Sequence, residues 1–536
     1  MNGAELIIET LVSNDIDVTF SNPGTSEMHF VAALDSVPRM RAVLGLFEGV
    51  VTGAADGYAR ISGKPAATLL HLGPGLANGL ANLHNARRAR TGLVNIVGDH
   101  ATYHKRYDPP LESDIESLAQ PMSGWVHRCG HPDAVYTDVE AAVSAAWGPP
   151  RRVATLIVPA DVSWLRAGNG VTPISNGGGQ KMSVIRNHEH RGSHAQVEPD
   201  VIEGVAKAMR APGQSALLIG GTATKKRGLE AARRVADIAG AKLLCETFPS
   251  VLERGTGIPA VERLGYFAEF ATAQLEGVTT LVLVDSASPV SFFAYPDKPS
   301  DLVPPGCAVH VLATATEDAP EALEALAELL GAPASIEAPQ YQEPARPDSP
   351  EGAVNSQAVA DALGATLPEG AIVSDESNTA GIWMSAATAG CGPHEWMCLT
   401  GGSIGQGLPV ATGAAVAAPD RRVVCLEADG SAMYTLQSLW TQARESLDVT
   451  TVILQNHAYA ILGLELSRVG AHEPGPIAQG MLDLDSPSLD FVSLARGMGV
   501  PASKPDSAEE LTEQLERSFA EPGPSVIVAD VGKGLR

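Results

Sequence analysis

The sequence predicts an α/β protein with three doubly wound domains, each built on a parallel β-sheet. Three observations support this prediction. Apolar, β-rich runs alternate with helical runs in both the first and the last third of the chain. The length of 536 residues suits about three domains, and 44% of the residues are hydrophobic, enough to fill three cores. Two polar stretches also interrupt the alternating pattern.

These two stretches set the predicted domain limits at residues 1–165, 195–335 and 351–536. The first stretch, roughly residues 166–195, is rich in Gly, Ser and His. The second, from Ala338 to Pro350, is rich in Pro and Glu. We therefore expect two similar α/β halves with a middle domain between them.

Two polar residues follow two predicted strands of the last domain. The run from Arg422 to Glu427 is apolar and β-rich, residues Ala432 to Leu447 have a helical pattern, and Val449 to Leu454 is again β-rich. Asp429 and Asn456, which are 27 residues apart, come just after the two strands. In a right-handed crossover both strand ends lie at one edge of the sheet, so these two side chains are expected there.

This edge suits a metal diphosphate. A carboxylate, an amide oxygen and a main-chain carbonyl of the following loop are hard ligands that match Mg²⁺ or Ca²⁺. The alternative is that Asp429, Gly430 and Ser431 form only a turn and a helix cap.

Three predicted strands of the first domain also end in polar residues. The strand Asp17 to Ser21 leads into a turn that contains Thr25, the run Arg41 to Phe47 ends at Glu48, and a third strand ends at His71 in a glycine turn. We expect the three side chains to lie together at one sheet edge. Glu48 stands where a strand meets a helix and can be buried beside a ligand. The alternative is an ordinary glutamate that favours a helix start.

In these motifs the chain resembles thiamine diphosphate dependent enzymes of the 2-oxoacid decarboxylase and acetolactate synthase superfamily. The resemblance covers nearly the whole chain. It rests on Asp429-Gly430-Ser431 with Asn456, on Glu48 followed by Ala-Ala-Asp-Gly-Tyr-Ala-Arg, and on the glycine turn from Thr400 to Pro409. The family fold implies a pyrimidine-binding first domain and a diphosphate-binding last domain.

The resemblance implies thiamine diphosphate and Mg²⁺ as cofactors, with Asp429, Asn456 and the main-chain oxygen of Ala458 as metal ligands. The chain departs from the family at Ala428 and Gln455, where Gly and Asn are usual, but neither change removes a ligand.

Further cofactor contacts are implied by the resemblance. A bulky aliphatic residue at the position of Ile404 holds the cofactor in its bent form, and Gly402 offers its carbonyl to the exocyclic amine. The other residues that the resemblance implies for cofactor binding are Asn378, Thr379, Gly430 and Ser431.

The catalytic residues implied are Glu48, His71, Thr25 and His100. Glu48 matches the glutamate that hydrogen-bonds the aminopyrimidine and promotes formation of the ylid. The motifs are most similar to those of benzoylformate decarboxylases, in which a Ser and a His at the positions of Thr25 and His71 handle the substrate carboxylate and protons. A second active-site histidine of those enzymes has no match in the aromatic segment from Ser288 to Pro296. His100, preferred here over His104, is expected to compensate.

The implied activity is non-oxidative decarboxylation, or C–C lyase chemistry, on a 2-oxoacid through a ylid and an enamine. Two alternatives stay open, namely an acetolactate synthase-like carboligase that joins two carbonyl substrates, and a non-catalytic subunit that only binds the cofactor. Acetolactate synthases carry FAD in the middle domain. Here the turn at Gly220-Gly221 is weak support, and the segment from Val284 to Pro289 does not have the Arg-Phe-Asp-Asp-Arg type pattern of those synthases, so FAD is not expected.

Net charge and cysteine content limit the binding partners and the cellular location that we expect for the protein. A formal net charge of −25 argues against nucleic acid and anionic membranes, because phosphate contacts require basic clusters. Six scattered cysteines indicate reduced thiols. The first residues, Met-Asn-Gly-Ala-Glu, show no basic region and no long apolar run. We therefore expect no secretion signal, no membrane span and a cytoplasmic location. The family architecture implies a homodimer or homotetramer with active sites at the subunit interface.

Overall fold

The computed structural model describes residues 1–167, 192–336, 340–471 and 474–533. Most of the predicted linker rich in Gly, Ser and His, and the first residues of the Pro-rich stretch, lie outside these ranges. The described residues form three α/β units with a sheet in each, which confirms the predicted fold class. The exact domain limits remain a prediction.

The first unit is a six-stranded parallel sheet covered by helices on both faces. Its strands are β1 (Val18–Asn22), β2 (Arg41–Leu44), β3 (Ala66–Leu70), β4 (Leu93–Asp99), β5 (Trp125–Arg128) and β6 (Val153–Pro159). Its helices are α1 (Gly3–Ser13), α2 (Met28–Ser36), α3 (Glu48–Ser62), α4 (Leu72–Arg88), α5 (Ile115–Ala119), α6 (Val135–Trp147) and α7 (Ala160–Trp164). The strand order is β2-β1-β3-β4-β6-β5. Successive residues of β3 and β4 enter opposite cores, so both strands are buried throughout.

The middle unit has a smaller parallel sheet. The strands in this part of the chain are β7 (Gln214–Ile219), β8 (Lys242–Cys245), β9 (Leu252–Arg254), β10 (Glu262–Arg263), β11 (Val278–Val284) and β12 (Ala308–Ala313). Its helices are α8 (Pro199–Met209), α9 (Lys226–Ala239), α10 (Ala268–Gln274) and α11 (Ala319–Leu330). The order is β10-β8-β7-β11-β12, and β9 belongs to the third sheet instead.

The third unit repeats the architecture of the first. Its strands are β13 (Ile372–Glu376), β14 (His394–Cys398), β15 (Val423–Ala428), β16 (Val449–Gln455), β17 (Ala502–Ser503) and β18 (Ser525–Asp530). Its helices are α12 (Ser356–Thr366), α13 (Met384–Ala387), α14 (Gly407–Ala417), α15 (Asp429–Thr435), α16 (Ser438–Arg444), α17 (Ala460–Arg468), α18 (Pro476–Gly480), α19 (Phe491–Gly497) and α20 (Ala508–Ala520). The order is β17-β18-β16-β15-β13-β14-β9, and only β9 runs antiparallel to its neighbour.

Three local predictions differ from the structure. The helical pattern from Ala432 to Leu447 forms two short helices, α15 and α16, rather than one. The glycines after His71 lie in the first turn of α4 and not in a loop. Helix α14 begins at Gly407, inside the stretch from Thr400 to Pro409 that was predicted as a glycine turn, because a proline such as Pro409 is tolerated in a first helical turn.

Helices α3 and α14 join the first and third units by direct backbone contact. A Cβ atom added at Gly413 would lie 1.8 Å from the carbonyl oxygen of Ala54, and one at Gly57 would lie 2.1 Å from that of Val410. Only glycine allows the two backbones to approach this closely. Beside this contact, Arg60 forms a buried ion pair with Asp56 within α3 and donates to the Cys398 carbonyl at 3.0 Å.

Two further observations concern sequence predictions. All six cysteines lie in the described ranges and none is paired in a disulfide. In the part of the chain that the structure describes, no helix combines the length and apolar character needed to cross a lipid bilayer.

We predict that Gly413→Ala lowers the urea midpoint of unfolding, because the new methyl group forces α3 and α14 apart at a cost of about 1–3 kcal/mol. Gly204→Ala is the matched control: Gly204 lies inside α8 and an added Cβ meets nothing within 4 Å. The control is expected to be neutral or slightly stabilising. Equal midpoints for both variants, measured by tryptophan fluorescence, would show that the helix contact is not tight.

Candidate active site

The carboxyl ends of β1, β2 and β3 place three predicted residues near one another. These strands are direct neighbours, so the loops that follow them meet at one sheet edge. Gly75 shows how close two of the side chains are, since a Cβ added there would lie 3.2 Å from Oε1 of Glu48 and 3.4 Å from Cβ of His71. Glu48 and His71 thus flank the same glycine.

Glu48 is the first residue of α3, as the sequence predicts, and is only 9% exposed. Its Oε2 accepts a hydrogen bond from Nδ2 of Asn78 at 3.0 Å. Asn78 comes from α4, and no role was predicted for it from the sequence. The contact fixes one carboxylate oxygen and leaves Oε1 beside Gly75.

His71 is held by the turn after β1. Its Nδ1 lies 2.8 Å from Oε2 of Glu27 and 3.3 Å from Oγ of Ser26. The predicted residue Thr25 is exposed, so the hydroxyl next to His71 in the described residues is that of Ser26. Thr25 stays a predicted substrate contact, one residue away from this pair.

His100 lies after β4, on the loop that follows Asp99. The ring is half-buried and packs against the exposed ring of His104, with centroids 5.6 Å apart. Its Nε2 is buried and has no hydrogen-bond partner in the described ranges. No hydrogen bond among the described residues joins His100 to Glu48 or His71, so its catalytic role remains a prediction.

The second group of predicted residues lies at the carboxyl ends of β15 and β16. Asp429 is 1% exposed; its Oδ2 accepts from the main-chain N–H of His457 at 2.7 Å and its Oδ1 from that of Gly430 at 2.8 Å. Oδ1 of Asn456 accepts from the N–H of Ala458 at 3.1 Å. Burial raises the pKa of Asp429, and the amides of His457 and Gly430 partly oppose this.

These residues fit a magnesium diphosphate. A carboxylate, an amide oxygen and a loop carbonyl are hard donors, while the described residues contain no cluster of three His, Cys, Asp or Glu side chains for another metal. A Cβ at Gly430 would lie 2.4 Å from the Tyr459 ring, so this position allows no side chain. Ala428 has extended backbone (φ −81°), which any residue adopts, so the departure from Gly is accommodated.

The loop after β13 approaches the same edge from the other side. Nδ2 of Asn378 donates to Oγ of Ser431 at 3.0 Å, which connects two residues predicted to bind the cofactor. Thr379 follows, half-buried, in a 3₁₀ turn.

The glycine turn before α14 is held by helix α4. Nδ2 of Asn82 donates to the Gly405 carbonyl at 3.2 Å and to the Gly49 carbonyl at 2.8 Å. Nδ2 of Asn85 donates to the Ser403 carbonyl at 2.8 Å. The sequence analysis missed these asparagines, because polar residues on a helix usually indicate a solvated face.

A buried carboxylate also holds the glycine turn before α14. Oε1 of Glu376 accepts from the N–H of Gly405 at 2.7 Å, and Oε2 from that of Gly407 at 2.5 Å. Burial raises the pKa of Glu376 to about 7 although these amides lower it. Burial and the charge of Glu376 raise the pKa of neighbouring Glu427 well above its usual value.

An aromatic cluster covers the other end of the turn. Gly402 has φ +71°, and a Cβ there would lie 2.6 Å from Cζ of Phe292. Phe292 packs against Phe248, Tyr266 and Phe293, with ring centroids 5.0–6.0 Å apart. Ile404 lies half-buried between Gly402 and Gly405. The predicted turn is thus bordered by apolar surface.

Comparison with known proteins agrees with this geometry. Residues 1–120 match the family described as "Thiamine pyrophosphate enzyme, N-terminal TPP binding domain", and residues 379–529 match its "C-terminal TPP binding domain". A Mycobacterium tuberculosis protein named "Putative acetolactate synthase large subunit IlvX" is 56% identical over 528 residues, 98% of each chain. Benzoylformate decarboxylase of Pseudomonas aeruginosa is 28% identical over 97% of each chain.

A solved structure shares the whole fold. The thiamine diphosphate-dependent 4-hydroxybenzoylformate decarboxylase of Rhodococcus jostii RHA1 superposes with a TM-score of 0.84 over 100% of both chains, at 23% sequence identity. The family predicted from the sequence motifs is confirmed. The chain belongs to the thiamine pyrophosphate enzyme family and is an enzyme that uses this cofactor, also called thiamine diphosphate.

Proposed function

We propose that the protein removes CO₂ from a 2-oxoacid without oxidation, using thiamine diphosphate and Mg²⁺, or carries out closely related C–C lyase chemistry. Bound thiamine diphosphate supplies a carbon nucleophile and accepts the electrons left by the departing CO₂. The observation that carries the proposal is that the buried carboxylate of Glu48 and the side chain of His71 both lie beside Gly75, at the carboxyl ends of neighbouring strands. The decarboxylases among the relatives support the same activity.

Glu48 exchanges a proton with the aminopyrimidine ring of the cofactor. Asn78 fixes Oε2, so Oε1 is the oxygen that takes part. A buried carboxylate suits this task because little water competes for the proton. His71 exchanges protons with the substrate, while the neighbouring hydroxyls of Thr25 and Ser26 receive the substrate carboxylate.

Asp429, Asn456 and the main-chain oxygen of Ala458 hold Mg²⁺, which binds the diphosphate. Gly430 and Ser431 border this group, together with Asn378 and Thr379. Gly402 and Ile404, on the turn that α4 and Glu376 support, would hold the pyrimidine part of the cofactor. The fixed hydrogen bonds of the turn support this assignment because cofactor placement requires a rigid frame.

Acetolactate synthase-like carboligation is the second candidate. The relative that is 56% identical bears the name of an acetolactate synthase subunit, and that identity favours a shared reaction. In this case a second carbonyl compound, rather than a proton, would be the acceptor.

We propose a homodimer or homotetramer in which two subunits complete each site. Ile382, Trp383, Met433 and Tyr434 are large, exposed apolar residues next to the proposed cofactor contacts. Such a patch is typical of a protein interface. The other proposed binding partner is the substrate, a small 2-oxoacid. We also propose that the protein works in a reducing compartment such as the cytoplasm.

The proposed enzyme works without FAD. Oδ2 of Asp285 accepts from the N–H of Thr222 at 3.1 Å, and a Cβ at Gly221 would lie 1.9 Å from that oxygen. The glycine turn of the middle unit therefore holds a carboxylate of the chain itself, which pairs with Arg90. A nucleotide phosphate would be repelled from this position.

We predict that Glu48→Gln lowers kcat by about 10²–10⁴-fold, because the amide cannot transfer the proton. The variant should still bind the cofactor, as measured by calorimetric titration. Glu9→Gln, on α1 and far in the fold from this sheet edge, is the control and should match the wild type. Unchanged turnover in Glu48→Gln would contradict the assigned role.

Product analysis should separate the two candidate activities. With pyruvate or benzoylformate as the sole substrate, the proposed lyase gives one aldehyde and one CO₂ for each 2-oxoacid consumed. Acyloin as the main product, identified by chromatography and mass spectrometry, would instead establish the carboligase.

A further inference from the structure

A buried carboxylate without an assigned role lies next to His71. Glu27 ends the 3₁₀ turn Thr25–Glu27 after β1 and is only 2% exposed. Glutamate is rarely buried to this extent unless it is paired. Its Oε1 accepts from the Ser26 hydroxyl at 2.8 Å, and its Oε2 accepts from the N–H of Gly24 at 2.8 Å and contacts Nδ1 of His71 at 2.8 Å.

Two glycines make room for this pair. A Cβ atom at Gly24 would lie 2.2 Å from Cγ and Nδ1 of His71. A Cβ at Gly98, near the end of β4, would lie 1.7 Å from Oε1 of Glu27. Both glycines have backbone angles that other residues can adopt, so space and not conformation requires glycine here. The fold thus encloses the carboxylate and the imidazole between the ends of three neighbouring strands.

The contact determines which nitrogen of His71 can react. An ionised carboxylate can only accept hydrogen bonds, so Nδ1 must carry the proton that lies between it and Oε2 of Glu27. In the neutral ring the free lone pair is then on Nε2. When His71 takes up a second proton, that proton is on Nε2, and the nearby carboxylate stabilises the positive charge.

We propose that Glu27 is a positioning residue that fixes the tautomer and the orientation of His71, so that His71 exchanges protons with the substrate through Nε2 alone. This inference rests on the function proposed for His71 above. The partly exposed ring, with 23% of the side chain accessible, leaves Nε2 able to meet a substrate. Because only 2% of Glu27 is exposed, we assign it an action through His71 rather than on the substrate.

The test is nitrogen NMR of the ¹⁵N-histidine-labelled holoenzyme, with the His71 signals assigned by their loss in His71→Asn. At pH values where its ring is neutral, wild-type His71 should show the Nδ1–H tautomer. Glu27→Gln should shift it toward a mixture of tautomers and lower kcat by about 10–100-fold, as for other residues that orient a reacting group, with cofactor affinity unchanged. Glu27→Asp, which keeps the charge, should recover part of the activity.

Ser26→Ala is the matched control, because it removes a neighbour of His71 but retains the Glu27 contact; it should keep the Nδ1–H tautomer. A wild-type spectrum with the proton on Nε2 would overturn the inference without any variant, as would an unchanged tautomer in Glu27→Gln. Full activity in His71→Asn, with the tautomer of wild-type His71 as expected, would instead refute the function proposed for His71 and leave the positioning by Glu27 intact.

Discussion

The backbone contact between α3 and α14 is the constraint on which the arrangement of the site depends. Glu48 begins α3, and the glycine turn ends where α14 begins at Gly407. Because Gly57 and Gly413 bring the two backbones together, the starts of both helices are fixed relative to each other. Asn82 strengthens this relation, since one amide group donates to carbonyls next to both helix starts. Glu48 and the glycine turn of the same chain, which belong to different sheets, thereby become parts of one rigid body.

Around this contact, the chain separates two chemical tasks. The edge of the first sheet holds groups that can exchange protons, Glu48 and His71, each with a neighbour that fixes one of its atoms. The edge of the third sheet holds oxygen donors for a cation, among them Asp429. Another buried carboxylate, that of Glu376, accepts two main-chain amides and holds the glycine turn in place. Similar buried acids thus have different roles, which their hydrogen-bond partners determine.

Much of this could be predicted from the sequence, because the important residues directly follow β-rich runs. The strands before Glu48 and Asp429 are apolar and short, so their ends were predictable to within about two or three residues. Parallel sheets then require the residues after neighbouring strands to share an edge. The choice between Thr25 and Ser26 as the partner of His71 could not be predicted, since only the path of a 3₁₀ turn decides it.

Contacts between residues far apart in the sequence could not be predicted, because local sequence patterns do not show which segments pack together. Strand β9 is only three residues long, too short for a periodic signal, and pairs with a sheet distant in sequence. Glu427 lies inside an apolar strand, where a pattern predicts burial but not that a second buried carboxylate, Glu376, lies beside it. The asparagines of α4 resemble a solvated face until the third unit packs against them.

We propose above all that one sheet edge binds the diphosphate through a cation at Asp429, while the other activates the ring of the cofactor at Glu48. Calorimetric titration of the metal-free protein with thiamine diphosphate, with and without Mg²⁺, tests this most directly. We expect saturable binding of one cofactor per chain that requires Mg²⁺, and about 10-fold or greater weakening in Asp429→Asn. Absence of binding to the wild type with Mg²⁺ present, or equal affinity in Asp429→Asn, would contradict the account.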